Sequence, residues 1–296
     1  MSEFWKRYCR VQCGDRIFDI KSHDIDFNIT GGNSTNANTA TIDVYNLAKS
    51  TLSALQPGIA MQVDAGYQDD HGIVFYGVVD SVESTVDGND VRTTIVAKDH
   101  MKALQDAPVY IGSFPKGTRV SEIVRAIYSA SGVPSGVLID GGVVTTRPFT
   151  LVDVPATLLE TLVKYTNGEV AKYNKNPPTF TAYIEHGQGF FVPTTYTDAK
   201  VIVVESATGL LTVEPIKETA NTSASESATV SEEPTQTATS TAQQSLILST
   251  LFQWRIRADT PIQLNAREYA GTYKVTKFTH TLSGDDFETK MEVKPI

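Results

Sequence analysis

Gly88-Asn89-Asp90-Val91-Arg92-Thr93-Thr94-Ile95-Val96 and Gly284-Asp285-Asp286-Phe287-Glu288-Thr289-Lys290-Met291-Glu292 decide the reading of this chain. Aligned on their glycines, the two stretches put glycine, acid, threonine and apolar residue at matching places. The echo continues upstream: Gln62-Val63-Asp64-Ala65-Gly66-Tyr67 before Phe75-Tyr76-Gly77-Val78-Val79 resembles Gln263-Leu264-Asn265-Ala266-Arg267-Glu268-Tyr269 before Gly271-Thr272-Tyr273-Lys274-Val275. Apolar residues alternate with polar ones, and Gly/Asp/Asn clusters separate the runs, so each copy reads as strand, turn, strand, turn, strand. Two similar β modules are therefore expected; the alternative is two unrelated meanders that share turn chemistry. The expected register matches Val63 with Leu264, Gly77 with Gly271 and Ile95 with Met291. A slip of one residue would turn the apolar set to the opposite face.

The surrounding chain has 296 residues, which predicts two or three domains of roughly 100 residues each. A hydrophobic content of 41% and a charged content of 20% are those of a folded globular protein. The longest apolar runs, such as Val201-Ile202-Val203-Val204, have strand length, so no membrane insertion is expected. Met1-Ser2-Glu3-Phe4-Trp5-Lys6-Arg7 lacks an apolar stretch followed by a small-residue cleavage site, which predicts synthesis and first folding in a cytosol. The net charge of −9 opposes a phosphate-binding face and argues against sequence-specific nucleic-acid binding. An acidic wall is nonetheless consistent with a conduit that a polyanion passes without sticking.

Between residues 8 and 98 short alternating runs (Ile25, Phe27, Ile29; Ile42, Val44; Met61, Val63, Ala65) are broken by Gly31-Gly32-Asn33, Gln56-Pro57-Gly58 and Asp87-Gly88-Asn89. This spacing suggests a small barrel or sandwich. One short helix is expected over 46–55, with Leu52 and Leu55 on one side. After Lys98 the period changes. Val120, Ile123, Val124, Ile127 and Tyr128 recur at helical spacing, with Thr118 as cap and Gly132 then Pro134 as terminators. A second helix starts at Pro155, carries Leu158, Leu159, Leu162 and Val163 on one face, and is expected to stop at Asn167-Gly168, before strands at 170–173, 180–184 and 190–192.

The predicted architecture is thus mainly β with an α+β insert. It comprises a first β module (1–102), an α+β insert (103–197) and a second β module (198–217 with 246–296). Residues 218–245 form a Ser/Thr-rich, low-complexity segment with no aromatic residue, and it is expected to be disordered unless a neighbouring chain orders it.

No catalytic, cofactor-binding or metal-binding set is identified. His23, His71, His100, His186 and His280 are scattered, with no pair at the i, i+4 spacing of helical metal ligands. Asp99-His100 reads as a capping aspartate beside a surface histidine rather than a dyad. Gly187-Gln188-Gly189 lacks the third glycine of a dinucleotide loop and reads as a turn. Asp64, Asp69 and Asp70 read as a solvated hairpin tip rather than a calcium loop. Tyr165, Tyr173, Tyr183 and Tyr196 read as strand packing rather than a base-stacking platform. Cys9 and Cys13 would stand roughly 13 Å apart on a strand, beyond the roughly 7 Å reach of a disulfide, and have no zinc partners nearby.

The order of these features resembles a known family. Asn38-Thr39-Ala40-Thr41-Ile42-Asp43-Val44-Tyr45-Asn46-Leu47, Pro57-Gly58, Ala65-Gly66-Tyr67 and Val74-Phe75-Tyr76-Gly77-Val78-Val79 look like the opening domain of baseplate hub proteins of tailed bacteriophages. Thr260-Pro261-Ile262-Gln263-Leu264, Gly271-Thr272-Tyr273-Lys274-Val275, His280-Thr281 and Asp286-Phe287-Glu288-Thr289 look like its closing domain. Gly117-Thr118-Arg119-Val120-Ser121 and Leu158-Leu159-Glu160-Thr161-Leu162 resemble the small domain such hubs insert between their barrels. The resemblance implies a homotrimer in the tail baseplate of a virion, made in a bacterial host's cytoplasm. Each β module would be a tube-like β-barrel, and the two barrels per subunit would make a pseudo-six-fold ring that joins the hexameric tail tube protein to the trimeric central spike protein. Other baseplate proteins would surround this ring, and its lumen would pass the tape-measure protein and then DNA. The role is mechanical, so the resemblance transfers no catalytic residue and no cofactor. The alternatives are a tail-associated peptidoglycan hydrolase, which needs a carboxylate or metal cleft, and the hub of a headless contractile injection particle.

Overall fold

The computed structural model describes residues 6–33, 37–185, 187–196, 200–216 and 244–296. Apart from Gln244 and Ser245, the low-complexity segment expected to be disordered lies outside the described residues. The first part holds β1 (Arg7–Cys13), β2 (Arg16–Asp19), β3 (Ile25–Gly32), β4 (Thr39–Tyr45), α1 (Lys49–Leu52), β5 (Ala60–Tyr67), β6 (Asp70–Asp87) and β7 (Asp90–Lys98). The middle holds α2 (Met101–Asp106), β8 (Tyr110–Phe114), α3 (Val120–Ala130), β9 (Ser135–Leu138), β10 (Phe149–Asp153), α4 (Pro155–Ala171), β11 (Phe180–Glu185) and β12 (Gln188–Pro193). The last part holds β13 (Ile202–Val204), β14 (Leu210–Pro215), β15 (Leu246–Leu251), β16 (Pro261–Asn265), β17 (Ala270–Ser283) and β18 (Asp286–Pro295).

The molecule is mainly β, and its first and last parts share one 13-stranded sheet in the order β14-β15-β18-β17-β3-β4-β7-β6-β5-β1-β2, with β16 on β17 and β13 on β16. These ladders do not by themselves trace a closed barrel around either part.

The duplication is visible in the ladders. The β6–β7 hairpin closes at Asp87 opposite Asp90 and the β17–β18 hairpin at Ser283 opposite Asp286, around Gly88 and Gly284, both at positive φ. Each hairpin carries a bulge at the same distance from its glycine, between Val79 and Ser81 in one and between Val275 and Lys277 in the other. Ile95 faces Ile42 of β4 as Met291 faces Leu248 of β15, and all four side chains are buried. Even a polar contact recurs: Ser84 meets Thr93 at 3.1 Å where His280 meets Thr289 at 2.8 Å.

One expected match fails. Val63 pairs with Phe75 whereas Leu264 pairs with Gly271, so Gly271 answers to Phe75, and Gly77 answers to Tyr273. A two-residue shift keeps every side chain on its face, which is why apolar alternation cannot detect it. The modules also diverge at one edge, where β1 joins β5 antiparallel but β13 joins β16 parallel.

The insert has its own core, in which α3 and α4 pack against β11 and β12 through residues such as Ile123, Ile127, Leu159, Leu162 and Phe191. Helix α3 starts at Val120 as expected, but Thr118 is not its cap; its hydroxyl donates to the Pro115 carbonyl. The Asp140 carboxylate, from a distant loop, instead accepts the Ser121 amide at 3.0 Å and the Arg119 guanidinium. Helix α4 runs through Gly168 to Ala171, so the expected strand at 170–173 does not form. Thr166 and Val170 extend the buried stripe, and the packing gained outweighs the glycine's cost of about 1 kcal/mol. The helix expected over 46–55 is only α1, because Asn46 takes positive φ and binds the Asp90 carboxylate and the Val91 amide.

Candidate assembly interface

The two β modules meet along a seam where residues 277–282 of β17 pair antiparallel with residues 27–32 of β3. Side chains alternate across this strand, so Phe278, His280 and Leu282 point inward, and all are buried. Behind them Phe252 stacks on Phe287 with ring centres 4.1 Å apart, and Phe27 and Tyr67 of the first module meet these rings edge-on at 6.0 and 5.3 Å. The core therefore runs unbroken from one module into the other.

Polar contacts fix the seam's register. Arg7 lies over the Phe287 ring and donates to the carbonyls of Gly284 and Asp285. Asp70 accepts from the Trp254 indole and from Arg255, each at 2.7 Å. The Trp254 ring lies so close over Gly72 that a Cβ there would come within 2.4 Å of it. His280 is wholly buried: its Nε2–H donates to the Ile256 carbonyl, the Thr289 hydroxyl donates to its Nδ1, and burial lowers its pKa to about 4. Lys274 and Asp259 form a buried ion pair at 3.0 Å, which Asn33 joins by donating to Asp259. Burial raises the Asp259 carboxyl above its ordinary value and outweighs the opposing pull of Lys274.

Two strand edges lie open. Beyond its bulge, β6 pairs only with β7, and β14 pairs only with β15, among the described residues. Each edge carries an exposed apolar side chain among polar ones: Val86 is 80% exposed and Leu211 48%. A cavity of about 570 Å³ opens between both modules and the insert, lined in part by Tyr76, Asp99, Ile184, Trp254 and Phe278.

Among the described residues no group of three or more His, Cys, Asp or Glu side chains is placed to hold a metal ion. His23 bonds Ser22 and meets Phe18 edge-on, and His71 bonds Asp64 at 2.8 Å while stacking on Tyr8. His186 lies outside the described residues. His100 is not a surface residue but half-buried against Tyr76. Its neighbour Asp99 accepts the Met101 amide, and burial pushes its carboxyl up to about 7. The hairpin tip expected to be solvated is so only at Asp69, since Asp70 is taken up by the seam. Of Gly187-Gln188-Gly189 only Gly187 lies in the turn; Gln188 and Gly189 already belong to β12 and pair with Glu185 and Ile184, with Gly189 against the Tyr128 ring. Tyr165 packs on Phe149 and Tyr183 on Phe190, Tyr196 is half-buried, and Tyr173 is 83% exposed. Cys9 and Cys13 are free and buried on one face of β1.

Sequence reading missed the segment Phe252-Gln253-Trp254-Arg255-Ile256-Arg257, which carries much of the seam. Its aromatic and arginine residues without strand or helix period were the available signal.

No family model and no curated protein matches the sequence. Solved structures do match the fold. A 43 kDa tail protein of prophage MuSo2 from Shewanella oneidensis is similar over 98% of this chain and 97% of its own, with a TM-score of 0.69 at 12% identity. A tail protein from Neisseria meningitidis gives the same coverage, TM-score and identity. A component of the Escherichia coli type VI secretion system, described as structurally similar to the T4 bacteriophage tail proteins gp27 and gp5, is similar over 97% of this chain and 76% of its own, with a TM-score of 0.62 at 9% identity. At these identities the likeness establishes the fold.

Proposed function

We propose that this chain is a structural subunit of a phage tail baseplate: a hub whose trimer forms a pseudo-six-fold ring between a hexameric tail tube and a trimeric central spike. Residues 1–102 and 198–217 with 246–296 act as its two tube-like barrel modules, and residues 103–197 as an insert between them. The observation that carries this reading is the duplication, with matching bulges, turns and buried partners, inside one sheet of a fold shared with phage tail proteins. A chain with two equivalent modules presents six similar surfaces when three copies close a ring, which reconciles three-fold and six-fold neighbours. The ring's lumen passes the tape-measure protein and DNA, other baseplate proteins bind its outside, and the subunit works without catalysis.

The likeness to a type VI secretion component supports the same mechanical role in a headless injection particle. Mass measurement and electron microscopy of the purified chain, alone and with its spike and tube proteins, test the proposal. A three-fold ring with six peripheral lobes is expected; a strict monomer in every mixture removes it.

A further inference from the structure

The seam inside the chain has a counterpart with no occupant. Residues 277–282 of β17, just past their bulge, are covered by β3; the matching stretch of β6, residues 81–86, is covered by nothing among the described residues. The strand matching β3 is β14, because β3 flanks β4 as β14 flanks β15, and β14's other edge is equally bare. The two open edges are thus the two halves of the seam, held on opposite modules of one chain.

The side chains agree. Val86 occupies the place of Leu282, yet Val86 is 80% exposed and Leu282 3%; its cross-strand neighbour Val91 is 36% exposed where Phe287 is 4%. An apolar pair kept at a hairpin tip in the open fits a surface that is covered on assembly.

Resting on the ring reading above, we propose that the outer edge of β6 in one copy pairs antiparallel with β14 of a second copy, repeating between chains the seam seen within one. The internal ladders set the register. Phe27, opposite Leu282, stands across from Ile42 as Val213 stands across from Leu248, so Val86 falls opposite Val213 of the second copy and Thr85 opposite its Glu214. Within the chain the corresponding pair is Thr281 and Asn28, whose side chains touch at 3.4 Å; between chains the Thr85 hydroxyl donates to the Glu214 carboxylate. The Ile216 amide donates to Ser245 of the segment leading into β15, so by alternation Val213 and Pro215 present their backbones outward. Pro215 has no amide to give. The intermolecular ladder therefore has one hydrogen bond fewer than the internal one.

The double variant Thr85→Cys with Glu214→Cys tests this register. The native thiols do not interfere, since Cys9 and Cys13 are buried and their pKa values are raised to about 12. Mild oxidation of the assembled protein is expected to give covalent dimers and trimers, whereas the control Thr85→Cys with Val213→Cys, whose side chains leave opposite faces, gives neither. A second variant, Val86→Asp, changes an exposed side chain. It is expected to keep the monomer's thermal stability while weakening trimer formation at least tenfold. A trimer by mass that cross-links no better in the matched pair than in the control overturns the β6–β14 seam and leaves the ring standing. A strict monomer even with tube and spike proteins removes both.

Discussion

The Trp254 indole of the second module donates to the Asp70 carboxylate of the first at 2.7 Å, and its ring covers Gly72, two residues further along the same strand. One side chain thus closes the space over a glycine and satisfies a half-buried acid across the module seam. Trp254→Ala is expected to lower stability by about 3 kcal/mol, the low end for truncating a packed aromatic residue. Gly72→Val, which drives a branched side chain into the indole, should cost about 1–3 kcal/mol. Urea unfolding of the two variants checks both values, and additive losses in the double variant would argue against this contact, because residues that touch couple.

The Lys274–Asp259 pair is enclosed by the seam and the insert, with the Lys274 amino group also donating to the carbonyls of Thr194 and Tyr196. Lys274→Met leaves a buried carboxylate without its countercharge and is expected to cost about 3–5 kcal/mol. Adding Asp259→Asn should return most of that loss. Differential scanning calorimetry of the single and double variants distinguishes this from simple loss of packing.

Two buried groups act on acid stability in opposite senses. The folded His280 has its pKa lowered from 6.5 to about 4, so the unfolded chain binds the extra proton between those values and stability falls as pH drops through that window. The folded Asp99 has its pKa raised from 3.8 to about 7, so the folded chain binds the extra proton there, and stability rises as pH drops from 7 towards 4. Chemical-denaturation midpoints between pH 4 and 7 should therefore change little in the parent protein, fall steeply with acid in Asp99→Asn, and rise with acid in His280→Gln.

In the insert, burial alone would raise the Asp140 carboxyl, but hydrogen bonds from Arg119, Ser121 and Gly142 outweigh it and hold it far below the ordinary carboxylate range. Asp140→Asn should destabilise α3 by about 1–2 kcal/mol at neutral pH, as expected for loss of a charged helix cap. The deficit relative to the parent should shrink as pH falls below about 4, where the unfolded carboxyl protonates while the folded one is still ionised. Amide exchange of Ile123 and Val124, compared with exchange in β17, reports whether the loss stays in the insert.

Much of the fold was legible because its signals are local. The duplicated hairpins announce themselves through Gly88 and Gly284, which supply the positive φ their turns need, and through alternation that places Ile95 and Met291 inward. The start of α3 and the Pro155 start of α4 follow from helical period and first-turn chemistry. The place of Gly271 was misread because a two-residue offset preserves the alternation. The end of α4 was misread because burial of Thr166 and Val170 overrides a single glycine.

By itself the sequence determined the mainly β character, the two related modules and the helices of the insert, since each rests on residues close together in the chain. Tertiary structure alone decided that β17 pairs with β3, that Trp254 closes over Gly72, that Asp140 caps a helix it does not adjoin, and that among the described residues the edges of β6 and β14 stay open. These relationships join residues up to some 250 positions apart. A strand's apolar face specifies only that it must be buried, and which partner buries it is settled by the packing of the whole sheet.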